Sequence, residues 1–419
     1  MRFPNRRHFL GTSLVTAAAP FARARASANE RVRVAIIGVN GRGLDLIRMF
    51  RDSDNARVTH VCDADTRAFA KALSGFDTGQ TPATEQDFRR MLDHKEIDAV
   101  AIATPDHWHA LMTVLACQAG KDVYVEKPAC HNVIEGTRMV EAARKYNRVV
   151  QHGTQRRSAQ HVRDAIEHLR ADGIGKVGMA RAWIHQKRGP IGKAKESAPP
   201  AELDWALWQG PAPEQPFFAN RVHYGWHWFW DYGTAELGNN GVHCVDLARW
   251  GLNVDAPTRV CSAGGKFLFD DDQQVPDTQV ACWEFDDCVL SYEHRMWSKH
   301  GMEGGAYFGV AFYGDNGTLI IDDKAWRVED GPTAGGPASD SQVAHVLNFL
   351  DCIRTREQPN ADIAIGVSTA RLCHLGNIAH RLHQNLAFNA DTGTFGDHSN
   401  ANALLGRIYG TRFAMPEQV

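Results

Sequence analysis

The 419-residue sequence is short of several features. It has no CxxC pair, and its nine cysteines are odd in number and scattered. That pattern argues against a disulfide framework and suits folding in a reducing compartment. Cysteines inside apolar runs, such as Cys62, read as buried small hydrophobes. Neither sign of charge dominates: 46 Lys and Arg stand against 49 Asp and Glu, for a net charge of −3. The balance gives no electrostatic case for nucleic acid. No apolar stretch reaches the roughly 20 residues of a membrane-spanning helix, so no stable membrane anchor is expected. Internal repeats and long low-complexity runs are also missing.

What is present begins at the N-terminus. Arg6 and Arg7 precede Phe9 and Leu10, then a modest apolar stretch to Ala22, then Ala22-Arg-Ala24-Arg-Ala26. Charged region, apolar region and small-residue cleavage site follow in the order of an export signal. The adjacent arginines resemble a twin-arginine (Tat) signal, whose machinery carries folded proteins. The expectation is a signal over residues 1–28, cleaved near Ala26 or Ala28, and a periplasmic destination. The remaining ~390 residues suit two domains, predicted at 29–154 and 155–419.

The first of these reads as a dinucleotide site. Val32 to Ile37 form an apolar run, which turns through Gly38-Val39-Asn40-Gly41-Arg42-Gly43 into a helical pattern. Gly38 permits the tight turn, Gly43 lets helix and strand pack closely, and the helix N-terminus offers N–H groups to a pyrophosphate. Asn40 replaces the usual middle glycine. A second apolar run, Val58–Cys62, ends at Asp63, placed to bind the ribose hydroxyls of NAD and to repel the 2′-phosphate of NADP. Arg67 is near enough to keep NADP open. Further buried-type strands at Ala99–Ala103, Asp122–Val125 and Val149–His152 alternate with helical patterns, which predicts a parallel sheet covered on both faces. "ATPDHWHA" and "EKPAC" follow two of these strands, at the ends where such sheets bind ligands. Thr104, Pro105, His107 and Trp108 are expected to wall the nicotinamide. Lys127 and Glu126 point to opposite faces of their strand, so Lys127 can approach that ring without being neutralised by its neighbour.

With these pieces in place, the sequence resembles the Gfo/Idh/MocA oxidoreductase family. The resemblance rests on "VRVAIIGVNGRG", "CDAD", "ATPDHWHA", "EKP", "GTQRRS" and "GNNGVHCVDLARWGL", in family order, and on the ending "FNADTGTFGDHSNANALLGRIYGTRFAMP". It covers nearly the whole mature chain. It implies a Rossmann domain followed by an α/β domain with a large open, mostly antiparallel sheet, whose exposed face commonly makes a homo-oligomer. It also implies cofactor contacts from Gly38, Asn40, Gly41, Arg42, Gly43, Asp63, Thr104, Pro105, His107, Glu126 and Lys127, and a proton-transfer role for Lys127. Where the family often places Asp and His four residues apart, this chain has Asn239 and His243, and Asn cannot ionise.

The second half reads as a sugar-like site. Gly238 to Trp250 is predicted as one helix with Asn239, His243, Asp246 and Trp250 on a single face. His243 could take a hydroxyl proton near neutral pH. Asp246 could orient it or pair with a cation. Five of the eleven tryptophans fall between Trp205 and Trp230, which suits stacking on sugar rings as well as core packing. The candidate substrate contacts are Asn239, Asp246, Arg157, Trp108 and Trp228, with Arg157 alternatively closing an interdomain ion pair. His223 and His227 have no acidic or cysteine partner arranged nearby, so no metal is expected. Gln186–Pro200 reads as an exposed loop that could cover the site or a neighbouring subunit.

The function read from these residues is an NAD-dependent oxidoreductase acting on a sugar, polyol or glycoside, with Lys127 and His243 handling the proton. The alternative is a redox-neutral NAD-dependent glycosidase; a non-catalytic sugar sensor is a third reading, against which the intact Lys127 argues. Export after folding would carry a preloaded cofactor into a compartment without a replenished pool. That favours tightly held NAD regenerated within each turnover.

Overall fold

A computed structural model describes residues 31–302 and 305–419; the predicted signal at 1–28 lies outside them. The first half alternates strand and helix: β1 (Val32–Ile37), α1 (Arg42–Arg51), β2 (Ala56–Cys62), α2 (Ala68–Leu73), β3 (Ala83–Glu85) and α3 (Phe88–Leu92). It continues with β4 (Ala99–Ile102), α4 (Asp106–Gln118), β5 (Asp122–Val125), α5 (Val133–Lys145) and β6 (Val150–His152). The six strands are parallel in the order β3-β2-β1-β4-β5-β6. β4 and β5 are buried at every position, because helices cover both faces of the sheet. Strand order reverses between β1 and β4, and a crevice opens there at the carboxyl ends of the strands.

The second half contributes α6 (Gln160–Arg170), β7 (Val177–His185), α7 (Trp205–Gln209), a π-helical turn at Leu237–Gly241 and α8 (Val242–Leu252). Then come β8 (Arg259–Gly265), β9 (Thr278–Glu284), β10 (Val289–Arg295), β11 (Phe308–Gly314), β12 (Gly317–Asp322), β13 (Ala325–Glu329) and β14 (Gly335–Pro337). The chain ends through α9 (Gln342–Thr355), α10 (Ile363–Leu382) and the short β15 (Leu386–Ala387), followed by a tail. The nine-stranded sheet runs β14-β13-β12-β11-β7-β10-β9-β8-β15. Only its β7–β10 pair is parallel. One face buries Val310, Phe312 and Leu290 beneath α6, α8 and α10. On the other face Met179, Val280 and Val289 stay exposed.

The single helix predicted from Gly238 is two elements. Its first turn is π-helical, and such turns recur at functional sites. The C-terminal part also returns to the first sheet. Phe349 of α9 meets Phe50 and Tyr124 edge-on, while Ile363 and Ala370 of α10 join the core beside β4 and β5. Phe413 of the tail packs 5.0 Å from the Trp108 ring.

Candidate active site

A cleft of about 620 Å³ lies where the two sheets meet, between the strand ends of the first and the π-helical turn of the second. Its floor is the glycine turn. Gly38 has φ +83°, and a Cβ there would come within 2.6 Å of the Ala103 carbonyl oxygen. A Cβ on Gly43 would strike the Gly38 carbonyl, so this glycine sets the helix–strand approach. Gly41 has only open space where its Cβ would be, at the N-terminus of α1. Such a bare, N–H-rich cradle fits a dinucleotide pyrophosphate. Asp63 closes the turn: its carboxylate accepts the Val39 N–H at 2.8 Å and the Asp65 N–H at 3.0 Å. Burial raises its carboxyl, against those two hydrogen bonds. Arg67 is held by Asp65, with Nε 2.8 Å from Oδ1, and does not line the cleft.

Gly38→Ala is expected to yield protein largely empty of cofactor and less stable by about 1–3 kcal/mol, since strained φ and backbone collision act together. Absorbance of the purified variant and its thermal midpoint check both parts.

Lys127 stands at the end of β5, and its Nζ donates to Asn239 Oδ1 at 2.8 Å. The Asn239 amide is fixed from behind, because its Nδ2 donates to the buried Glu236 at 3.2 Å. Glu236 also accepts from Asn240 at 2.8 Å and from Arg188 at 3.4 Å. Burial lowers the Lys127 ammonium from its ordinary value, against the pull of Glu126, Asp106 and Glu236. Glu126 is not free to neutralise it. Burial alone would raise Glu126, but the Arg42 guanidinium, Nε 2.8 Å from Oε1, holds its carboxyl below the usual range. Asp106 accepts the Thr234 hydroxyl at 2.7 Å, and burial raises its carboxyl.

His243 lines the cleft beside Asn239, but its electrostatics correct the expectation of a base active near neutral pH. Burial, then the Lys127 and Arg156 charges, push it well below the ordinary histidine value. It is a neutral imidazole whose Nδ1 has no partner, suited to hydrogen bonding rather than to storing a proton. Thr104 Oγ1 and Gln155 Oε1 are likewise buried and unpartnered at the cleft wall.

Gly38, Asn40, Gly41, Arg42, Asp63, Thr104, Pro105, Trp108, Glu126, Lys127, Asn239 and His243 are brought together here. Five expected contacts are not: Gly43, which sets the helix–strand approach behind the cradle, and four others. Arg157 and Asp246 are buried away from the cleft as a bidentate pair, at 2.7 and 3.0 Å, with Thr369 donating to Asp246 at 2.7 Å. These two form an ion pair, but it lies within the second half, between the turn after β6 and α8, and not between the domains as the alternative for Arg157 had it. Trp228 sits in a small core with Val275 and Met296 and does not line the cleft; it stands behind the cleft residues Arg188, 5.2 Å above its ring, His227 and Tyr224. His107 is fully buried between the carbonyls of Trp208 and Tyr232, at 3.0 and 3.3 Å, so it holds α4 to the second half instead of facing cofactor. Trp208 and Trp226 reach the cleft in place of Trp228.

The sequence reading missed Glu236, Arg188, Asp106, Asn240 and Tyr224. Asp106 lay within a quoted motif, and Glu236 stands just before another. Arg188 belongs to the loop read as exposed, and that loop does turn inward: Arg188 bonds Tyr224 and Glu236. His223 and His227 do not converge on a common point; His223 Nε2 meets Asp65 at 2.9 Å, and His227 Nδ1 meets the Tyr224 carbonyl.

Two profiles of one family match in sequence. "Oxidoreductase family, NAD-binding Rossmann fold" covers residues 32–154, and "Oxidoreductase family, C-terminal alpha/beta domain" covers 178–294. The chain belongs to the Gfo/Idh/MocA oxidoreductase family. Among curated relatives, "Glycosyl hydrolase family 109 protein 2" of Shewanella sp. (strain ANA-3) is 32% identical over 167 residues, 33% of this chain and 37% of the relative. "Glycosyl hydrolase family 109 protein" of Saccharopolyspora erythraea is 32% identical over 171 residues, 38% of this chain and 37% of the relative. The match thus spans little more than a third of those relatives. Among solved structures, the WlbA dehydrogenase from Bordetella pertussis, in complex with NADH and UDP-GlcNAcA, has TM-score 0.67 at 18% identity, covering 86% of this chain and 100% of that one. The aldose-aldose oxidoreductase from Caulobacter crescentus, complexed with glycerol, has TM-score 0.67 at 18% identity, covering 85% and 100%. At such identity these similarities establish the fold of the family, both domains included.

Proposed function

We propose that this family member transfers hydride at a hydroxyl-bearing carbon of a sugar, polyol or glycoside, with NAD held in the cleft and Lys127 moving the proton. The observation that carries the reading is the Lys127–Asn239 contact at the end of β5, beside the glycine cradle. When bound, the nicotinamide supplies the hydride acceptor and donor. Lys127 Nζ takes the substrate hydroxyl proton, and Asn239 Oδ1 fixes where that amine points. His243, Gln155 and Arg188 position hydroxyl groups, and Trp226 offers an apolar face to the ring. NAD is favoured over NADP because Asp63 faces the cleft while Arg67 is committed to Asp65.

Two observations favour the redox-neutral glycosidase as a second reading. The curated relatives carry glycosidase names. A strap also crosses the adenosine side of the cleft: Leu203 bridges Asp65, Asp204 N–H donates to the Ala64 carbonyl at 3.0 Å, and His223 meets Asp65. Such a strap supports slow cofactor exchange, which a cycle that oxidises, eliminates, hydrates and re-reduces needs. The Arg6–Arg7 signal extends the proposal to Tat export with cofactor already loaded, and the apolar residues on the open sheet face extend it to a homo-oligomer.

The test uses protein purified without added cofactor, inspected for bound NAD(H) by absorbance, then offered glycosides and free sugars. Release of free sugar marks the glycosidase, and sugar interconversion marks coupled oxidoreduction. Turnover only with added NAD(H) marks an ordinary dehydrogenase, and overturns the tight-cofactor proposal if the protein arrives empty.

A further inference from the structure

Away from the cleft, three side chains with metal-ligating atoms converge where β2 meets the turn between α3 and β4. His60, His94 and Glu96 bring one such atom each within 4.8 Å of one another. His94 Nδ1 is 3.0 Å and His60 Nε2 3.9 Å from Glu96 Oε1. Two ligands 2.0–2.1 Å from a tetrahedral ion lie about 3.3 Å apart, so the set needs only small side-chain adjustment.

His60 Nδ1 is held 3.0 Å from the Thr59 hydroxyl, which leaves Nε2 as the ring nitrogen facing Glu96. A ligating histidine is commonly oriented in this way, by a hydrogen bond from its other ring nitrogen. The turn is preorganised too. Lys121 Nζ, buried beneath it, donates to the carbonyls of His94 and Ile97 at 2.7 and 2.9 Å. The two imidazole rings are only 4.7 Å apart, a distance that disfavours charging both and is natural for two ligands of one ion.

We propose that His60, His94 and Glu96 form a site for one divalent transition ion of the zinc class, with water completing its coordination. Two histidines and a carboxylate suit zinc, nickel or cobalt better than the oxygen-seeking magnesium or calcium. The site ties β2 to the α3–β4 turn, so it acts on the stability of the first sheet. The fold survives without the ion, because Lys121 already fixes the turn.

The test titrates tag-free, EDTA-dialysed full-length protein with zinc chloride by calorimetry and follows its thermal midpoint. One equivalent should bind and raise the midpoint by a few degrees. His94→Ala and Glu96→Gln, at surface positions that leave the fold intact, should each weaken binding about tenfold or more and abolish the rise. Cobalt chloride should give visible bands of nitrogen and oxygen ligation. Absence of a stoichiometric equivalent, or equal affinity in both variants, overturns the proposal. A thiolate charge-transfer band also overturns it, by placing the ion at the cross-strand pair Cys261 and Cys282.

Discussion

Lys127→Met is expected to lower kcat by about 10²–10⁴-fold, the usual contribution of a positioned acid–base group, while the purified protein keeps its cofactor. The chain length is nearly conserved, so the cleft wall stays filled, but Asn239 Oδ1 loses its donor and no proton acceptor remains beside the reacting carbon. The pH profile carries the sharper signature. Burial holds Lys127 below its ordinary value of 10.5, and the neutral amine is the base. Oxidation should therefore rise with pH along a limb that ends below the range of a free lysine. Asn239→Asp puts a carboxylate where an amide now stands, 2.8 Å from Nζ, and favours the charged amine. That limb should move to higher pH. A wild-type rate in Lys127→Met, measured as substrate-dependent reduction of bound NAD, would remove the residue from the mechanism.

The cofactor half of the site was legible in the sequence because its requirements are local. A turn needing φ +83° at Gly38 and an acid at the end of the second strand leave their mark within one strand–helix–strand unit. The substrate half depends on long-range placement, and the reading failed there in physically specific ways. His107, Arg157 and Asp246 belong to motifs, yet their side chains turn into buried packing away from the cleft, where polar groups must find partners. Helical spacing put Asp246 on the His243 face. A three-residue step leaves about 60° between the two side chains, and the buried Arg157 guanidinium takes the Asp246 carboxylate. Glu236 stands three and four residues before Asn239 and Asn240, a helical spacing that brings both amides to its carboxylate, whereas its third donor, Arg188, meets it only in the folded chain.

Asp246→Ala is expected to destabilise the protein by about 3–5 kcal/mol, because it leaves the Arg157 guanidinium buried and unpaired. The pair is among the most enclosed in the molecule, with side chains 5% and 1% exposed, and it joins the segment after β6 to α8 and, through Thr369, to α10. Arg157 also lies 4.6 Å over the Trp250 ring, so it stays in place when its partner is removed. The contrast with a substrate contact is measurable. A substrate ligand would raise KM with little change in stability, whereas this pair should lower the thermal midpoint and leave KM unchanged for molecules still folded. Replacing both residues together, Arg157→Met with Asp246→Leu, should recover much of the loss, since the penalty comes from the orphaned charge. The pH dependence has a definite sign. Burial would raise Asp246, but Arg157 overrides it and holds the carboxyl below its ordinary value of 3.8. The stabilisation is therefore present above the unfolded value and is lost as pH falls through the lower folded one. Wild-type protein should show this acid-induced loss, and the double replacement should not. A variant Asp246→Ala with an unchanged midpoint and a raised KM would return Asp246 to the substrate site.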